Sequence, residues 1–126
     1  NDLEAAESAF REAEARSSGS GLPYLGRGLV AMRRGEGERG RILLQQAVHL
    51  EPSVALFRSY LGKAFFEADD DTLSAQEFDR AIELDPEDPT PYLYRAYRSL
   101  PRNEPVRALG DLEASIERND ERAVYR

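Results

Sequence analysis

The sequence predicts an all-α chain, a solenoid of stacked helical hairpins. Three observations carry that reading. Apolar residues recur three or four positions apart along the chain, with no strand-length alternation. Positions 34 residues apart carry the same chemistry: Gly40, Ser74 and Ala108; Leu44, Phe78 and Leu112; Ala47, Ala81 and Ser115; Pro52 and Pro86, lapsing at Asp120. Glycine, proline and acidic turns interrupt the helical pattern at the same period. A helix pair this short cannot bury its apolar face alone, so neighbouring pairs must stack.

Taken in order, residues 3 to 16 place Leu3, Ala6, Phe10 and Ala13 on one face, with Glu4, Glu7, Arg11, Glu12 and Glu14 on the others. Asp2 is positioned to cap this helix, and Ser17 to Gly21 form a loop. Leu22 to Arg33 make the next helix, broken by Gly35-Glu36-Gly37; its partner runs from Glu38 to Leu50 and stops at Pro52. Ser53 can cap Val54 to Glu67, the acidic turn Asp69-Asp70-Asp71 follows, and Thr72 to Leu84 end at Pro86. Asp88 and Pro89 start a helix that continues through Tyr92 to Ser99 and closes at Pro101. Asn103 can cap the last helix, whose apolar stripe is Val106, Leu109, Leu112 and Ile116; Asn119-Asp120 end it, and Ala123 to Tyr125 begin another.

At 126 residues the chain is one domain. Its 40% hydrophobic and 33% charged residues suit a folded unit with a large solvated surface. The net charge of −7 argues against a general nucleic-acid or anionic-lipid surface, which needs cations to replace counterions. No apolar run reaches bilayer length. There is no cysteine, and Lys63 is the only lysine. The first residue is Asn1 rather than Met, from which the chain is expected to be a segment of a longer polypeptide whose targeting signals lie elsewhere.

The run Leu61-Gly62, Phe65, Ser74, Phe78, Ala81 and Pro86, closing on Ala-Ile-Glu-Leu-Asp-Pro, resembles the tetratricopeptide repeat family. The preceding copy carries Tyr24, Gly28, Gly35, Gly40, Leu44, Ala47 and Pro52; the next keeps Tyr92, Ala96, Ala108 and Leu112. On this resemblance the units are 1–18 (second helix of a partial repeat), 21–54, 55–88, 89–122 (divergent) and 123–126 (the start of a cut helix). It implies a right-handed superhelix in which Gly28, Gly62 and Ala96 let paired helices approach, while Phe78 and its equivalents fill the space between hairpins. Arg27 and Arg95 depart from the pattern where Leu61 stands, so each must reach the surface along its apolar stem or pair with an acid.

Chemistry has little footing. His49 is the only histidine and reads as a packing or partly exposed helix residue. Gly26-Arg27-Gly28 and Gly35-Glu36-Gly37 lack the spacing and lysine of a phosphate loop, and Asp69-Asp70-Asp71 lacks the ligand alternation of a calcium loop. No catalytic, metal or cofactor site is therefore expected, and the chain reads as no enzyme.

The resemblance further implies that the first helix of each hairpin lines a concave groove that binds a peptide or protein segment. The groove residues it assigns are Leu25, Leu29, Met32 and Arg33; Ser59, Lys63 and Phe66; and Leu93 and Tyr97, with Leu22, Leu56, Glu67 and Thr90 beside them. Leu22 and Leu56 can equally pack against sister helices. Tyr92 is expected to pack, while Tyr94 and Tyr97 can pack or stand in the groove. The Lys and Asn clamp that some members use on an acidic C-terminus is missing: Leu25, Leu29, Tyr60, Thr90 and Tyr94 hold its places. A hydrophobic or mixed segment is the expected partner. The competing expectation is a spacer or oligomerisation module of a large bacterial envelope protein, self-associating through open repeat ends.

Overall fold

The computed structural model describes residues 1–16, 19–100 and 104–125, except the side chains of residue 14 and residues 120–125. Seven helices follow one another: α1 (Asp2–Arg16), α2 (Leu22–Arg33), α3 (Gly37–Leu50), α4 (Ala55–Glu67), α5 (Asp71–Leu84), α6 (Thr90–Ser99) and α7 (Pro105–Tyr125). No strand occurs among the described residues. Each helix packs on the next, and α4 also touches α6. The pairs α2–α3, α4–α5 and α6–α7 are the expected hairpins, stacked behind the single helix α1 as an α-solenoid.

Local chemistry sets the helix ends. Asn1, not Asp2, caps α1, accepting from the Glu4 N–H at 2.8 Å; Asp2 is already helical, and a cap must stand one residue outside. Ser53 does not cap α4, which starts from extended Val54 without a side-chain acceptor. Asp70 does cap α5, through the Leu73 N–H at 3.1 Å. Asp88 accepts the Thr90 N–H at 3.0 Å, and Pro91 rather than Pro89 stands in the first turn of α6. Pro101 and Asn103 lie outside the described residues. Gly35 and Asp69, 34 residues apart, both take left-handed backbone, φ +79° and +60°, to end α2 and α4. Aspartate is among the few side chains that tolerate this region.

The core shows why the small positions recur. A Cβ on Gly28 would stand 2.9 Å from Leu44, and one on Gly62 would stand 2.8 Å from the Phe78 ring. Both lie inside van der Waals distance, so the two helices of these first two hairpins approach only because the side chain is absent. Ser74 fits the same contact, its hydroxyl donating to the Gly62 carbonyl at 2.9 Å. The Phe78 ring also stacks on Tyr94 at 5.5 Å and 14°. It therefore packs within its own hairpin as well as against the next one.

Charges placed on outer faces by the sequence pattern prove structural. Glu7 of α1 is buried, accepting from Arg11 at 3.1 Å, from Arg34 at 2.7 Å and from Arg39. The Arg39 hydrogen bond, opposed by burial and helped by the charges of Arg39, Arg11 and Arg34, holds its carboxyl below the ordinary value of 4.5. This cluster ties α1 to the turn between α2 and α3. Arg95 pairs with Asp111 at 2.8 Å and Asp79 at 3.4 Å, as its position required. Burial works most strongly against its charge, and the hydrogen bond to Asp111 together with the charges of Asp111 and Asp79 outweighs it, leaving its pKa raised.

Helix α7 departs from expectation twice. It runs unbroken through Asn119-Asp120 to Tyr125; neither glycine nor proline follows to stop it, and Glu121-Arg122-Ala123 are good helix formers. Its inward face is Ala108, Asp111 and Ser115, whereas Val106, Leu109 and Ile116 are exposed, 85%, 58% and 59%. The side facing α6 is fixed by the small residue at Ala108 and the ion pair at Asp111, leaving the apolar stripe turned away from the stack.

Candidate groove on the first helices

Helices α2, α4 and α6 are the first members of their hairpins, and α4 packs directly against α6. Between α2 and α4 lies a cleft of about 190 Å³, lined by Leu29, Met32, Arg33, Tyr60, Lys63 and Glu67 over a floor of Leu44 and Ala64. Four of the assigned groove residues thus meet in one place. Leu29 and Lys63 stand 34 residues apart, and Tyr97 is the next position in that row. The periodic row therefore offers an aliphatic, a cationic and an aromatic side chain in succession.

The α4–α6 end is aromatic. The Phe66 ring meets Tyr94 edge-on at 5.5 Å and Tyr97 at 6.5 Å, while Tyr94 and Tyr97 are perpendicular at 5.7 Å. Lys63 Nζ lies 5.9 Å from the centre of the Tyr94 ring, within reach of its negative face. Tyr94 is half-buried between Phe66 and Phe78, so it supports the cluster, and Tyr97 is 43% exposed and offers a free face. Tyr92 packs inward, its hydroxyl donating to the Pro86 carbonyl at 3.1 Å under the Arg118 guanidinium.

Other assigned residues are placed differently. Leu25 and Ser59 are buried, 7% and 3% exposed, and stand beneath the groove. Leu25 belongs to the core with Leu44 and Phe57, so it supports the wall and cannot contact a ligand. Leu93 is half-buried and Arg33 exposed. Leu22 and Leu56 turn out exposed at the starts of α2 and α4. Glu67, which the resemblance put beside the groove, and Tyr60, which holds one of the places of the missing clamp, also line the cleft. A larger hollow of about 640 Å³ beside the α2–α3 turn contains none of the assigned residues.

Gly26 and Gly28 are buried inside α2, with Phe10 of α1 lying against Gly26. His49 is exposed on α3. Among the described residues, no three metal-ligating side chains converge, and no helix is long and apolar enough to cross a membrane.

Solved structures share this arrangement. A crystal structure of MamA superposes with a TM-score of 0.83 at 15% identity, covering 98% of this chain and 72% of its own. MamA from Desulfovibrio magneticus RS-1 gives 0.79 at 16% identity, covering 95% and 68%. The second TPR domain of Spaghetti (RPAP3), solved bound to the HSP90 peptide SRMEEVD, gives 0.72 at 17% identity, covering 83% of this chain and 96% of that domain. The fold is the tetratricopeptide repeat. No family model and no curated protein matches the chain. At these identities the likeness extends to the fold and not to a partner. Within the tetratricopeptide architecture, Gly28, Gly62 and Ala96 mark the close approach in each hairpin, and Leu29, Lys63 and Tyr97 mark the face that varies.

Proposed function

We propose that the chain is a non-catalytic protein-interaction scaffold that takes a peptide or protein segment along α2, α4 and α6. The carrying observation is the contrast between two periodic rows. Gly28, Gly62 and Ala96 keep one small-residue chemistry because they join helices, whereas Leu29, Lys63 and Tyr97 change chemistry at every step on an accessible face. Variation on a rigid frame is what selective recognition needs. Leu29, Met32, Arg33, Lys63, Phe66, Leu93 and Tyr97 make the contact surface, with Leu25 and Ser59 behind it. The peptide-bound RPAP3 domain supports the reading by analogy of fold.

Lys63→Glu combined with Tyr97→Ala tests it. Helical circular dichroism should stay unchanged and capture of partners by the immobilised chain should fall at least about tenfold, the effect of losing one charged and one aromatic anchor. Undiminished capture would overturn the groove assignment.

A second reading, a spacer or self-associating module of a larger protein, is favoured by one observation: the open apolar stripe of α7. Ile116 is 59% exposed, while Val48, its counterpart 68 residues earlier, is 8% exposed beneath α4.

A further inference from the structure

We infer that the segment taken by the groove carries one acidic side chain flanked by apolar residues, with the carboxylate held by Arg33 and Lys63; the inference rests on the groove reading above. Among the described side chains, arginines elsewhere are engaged by the fold. Glu7 takes three of them, Arg58 pairs with Glu77 at 3.1 Å, Arg95 with Asp111, and Arg98 and Arg118 donate to backbone carbonyls. Arg33 and Lys63 are different. Neither forms an ion pair or a hydrogen bond to an acid among the described residues, although the chain carries a net charge of −7. Both line the same cleft, between Leu29 and Met32 on one side and Tyr60 on the other.

Charge complementarity selects the occupant. A carboxylate entering this cleft meets two cations against apolar walls, where a charge-assisted hydrogen bond is stronger than on open surface. Glu67 lines the same cleft, so its net charge is +1, which suits one carboxylate and repels a run of them. Apolar neighbours of the acid would lie on Leu29 and Met32 towards α2 and on Phe66 and Tyr97 towards α6. An internal acidic side chain fits better than a chain terminus, because it brings apolar neighbours on both sides, towards Leu29 and Met32 and towards Phe66 and Tyr97, whereas a terminus has a neighbour on one side only.

The test is a display selection of random short peptides, fused through their C-termini so that no free terminal carboxylate is present, on the immobilised whole chain. Amidated synthetic copies of the selected peptides are then titrated by fluorescence anisotropy against the parent, Arg33→Gln, Lys63→Gln and Tyr97→Ala. Asp or Glu beside Leu, Phe or Tyr should be enriched. Replacing the peptide acid by its amide, or Lys63 by Gln, should each weaken binding about tenfold, and the two together little more than either alone. Peptides that need Tyr97 yet show no acid preference overturn the acidic inference and leave the groove reading standing. Peptides indifferent to Tyr97 and Lys63 alike, or no peptides at all, overturn both.

Discussion

Ser59 and Ser74 are both buried, and they differ in what their hydroxyls meet. Ser74 Oγ donates to the Gly62 carbonyl at 2.9 Å, whereas Ser59 Oγ has no hydrogen-bond partner among the described residues. A satisfied buried hydroxyl contributes about 1 kcal/mol, and an unsatisfied one carries a desolvation cost of similar size. Ser74→Ala is therefore expected to destabilise by about 1 kcal/mol, and Ser59→Ala to be neutral or stabilising by about 1 kcal/mol. Urea unfolding of the two variants measures this, and equal losses would contradict it. The same scale explains why the groove was only partly legible. Leu25, Ser59, Lys63 and Tyr97 all sit on first helices, and the family resemblance assigns them to one side. Which of them is covered depends on the neighbouring hairpin, through contacts such as Leu25 with Leu44 and Phe57, and these have no local signature.

Among the elements, α2 was readable to the residue because the serine- and glycine-rich run before its start and Gly35 beyond its end are both local signals. Helix α1 was equally legible as a helix, but its docking was not, since that depends on Glu7 meeting Arg34 and Arg39 from distant parts of the chain, and in sequence Glu7 looks like any solvated acid. That docking is pH-sensitive. Because the folded carboxyl titrates below 4.5, the unfolded chain binds the proton more readily, so the contribution is complete above about pH 4.5 and is lost as pH falls through the lowered folded value. Glu7→Gln should therefore be less stable than the parent at pH 7, with the gap narrowing at acid pH. Paired thermal melts at neutral and acid pH measure it, and a gap of constant size would rule out the ion cluster as the cause. The break expected at Asn119-Asp120 failed for a simpler reason: those residues favour caps, but a cap needs a stop signal after it, and α7 has none.

For the whole molecule, the period is the most legible feature, and it repeats one kind of face on every second helix. Each second helix shows the next hairpin a face built around Leu44 in α3, Phe78 in α5 and Leu112 in α7. In α3 that face is covered by α4 and in α5 by α6, whereas in α7 Leu109 and Ile116 remain exposed. Such a stripe favours association with another helical face, because burying each aliphatic side chain gains roughly 1.5–3 kcal/mol before the cost of association. Leu109→Glu with Ile116→Glu should leave the melting temperature within a few degrees of the parent, since neither residue contributes to the core. The same pair should abolish any concentration-dependent increase in mass seen by sedimentation equilibrium. If the parent is monomeric at high concentration, the spacer reading loses its self-association route. If the parent associates and the double variant does so equally, the contact lies elsewhere, and other exposed apolar positions, such as Leu22 and Leu56 at the starts of α2 and α4, become the surface to test.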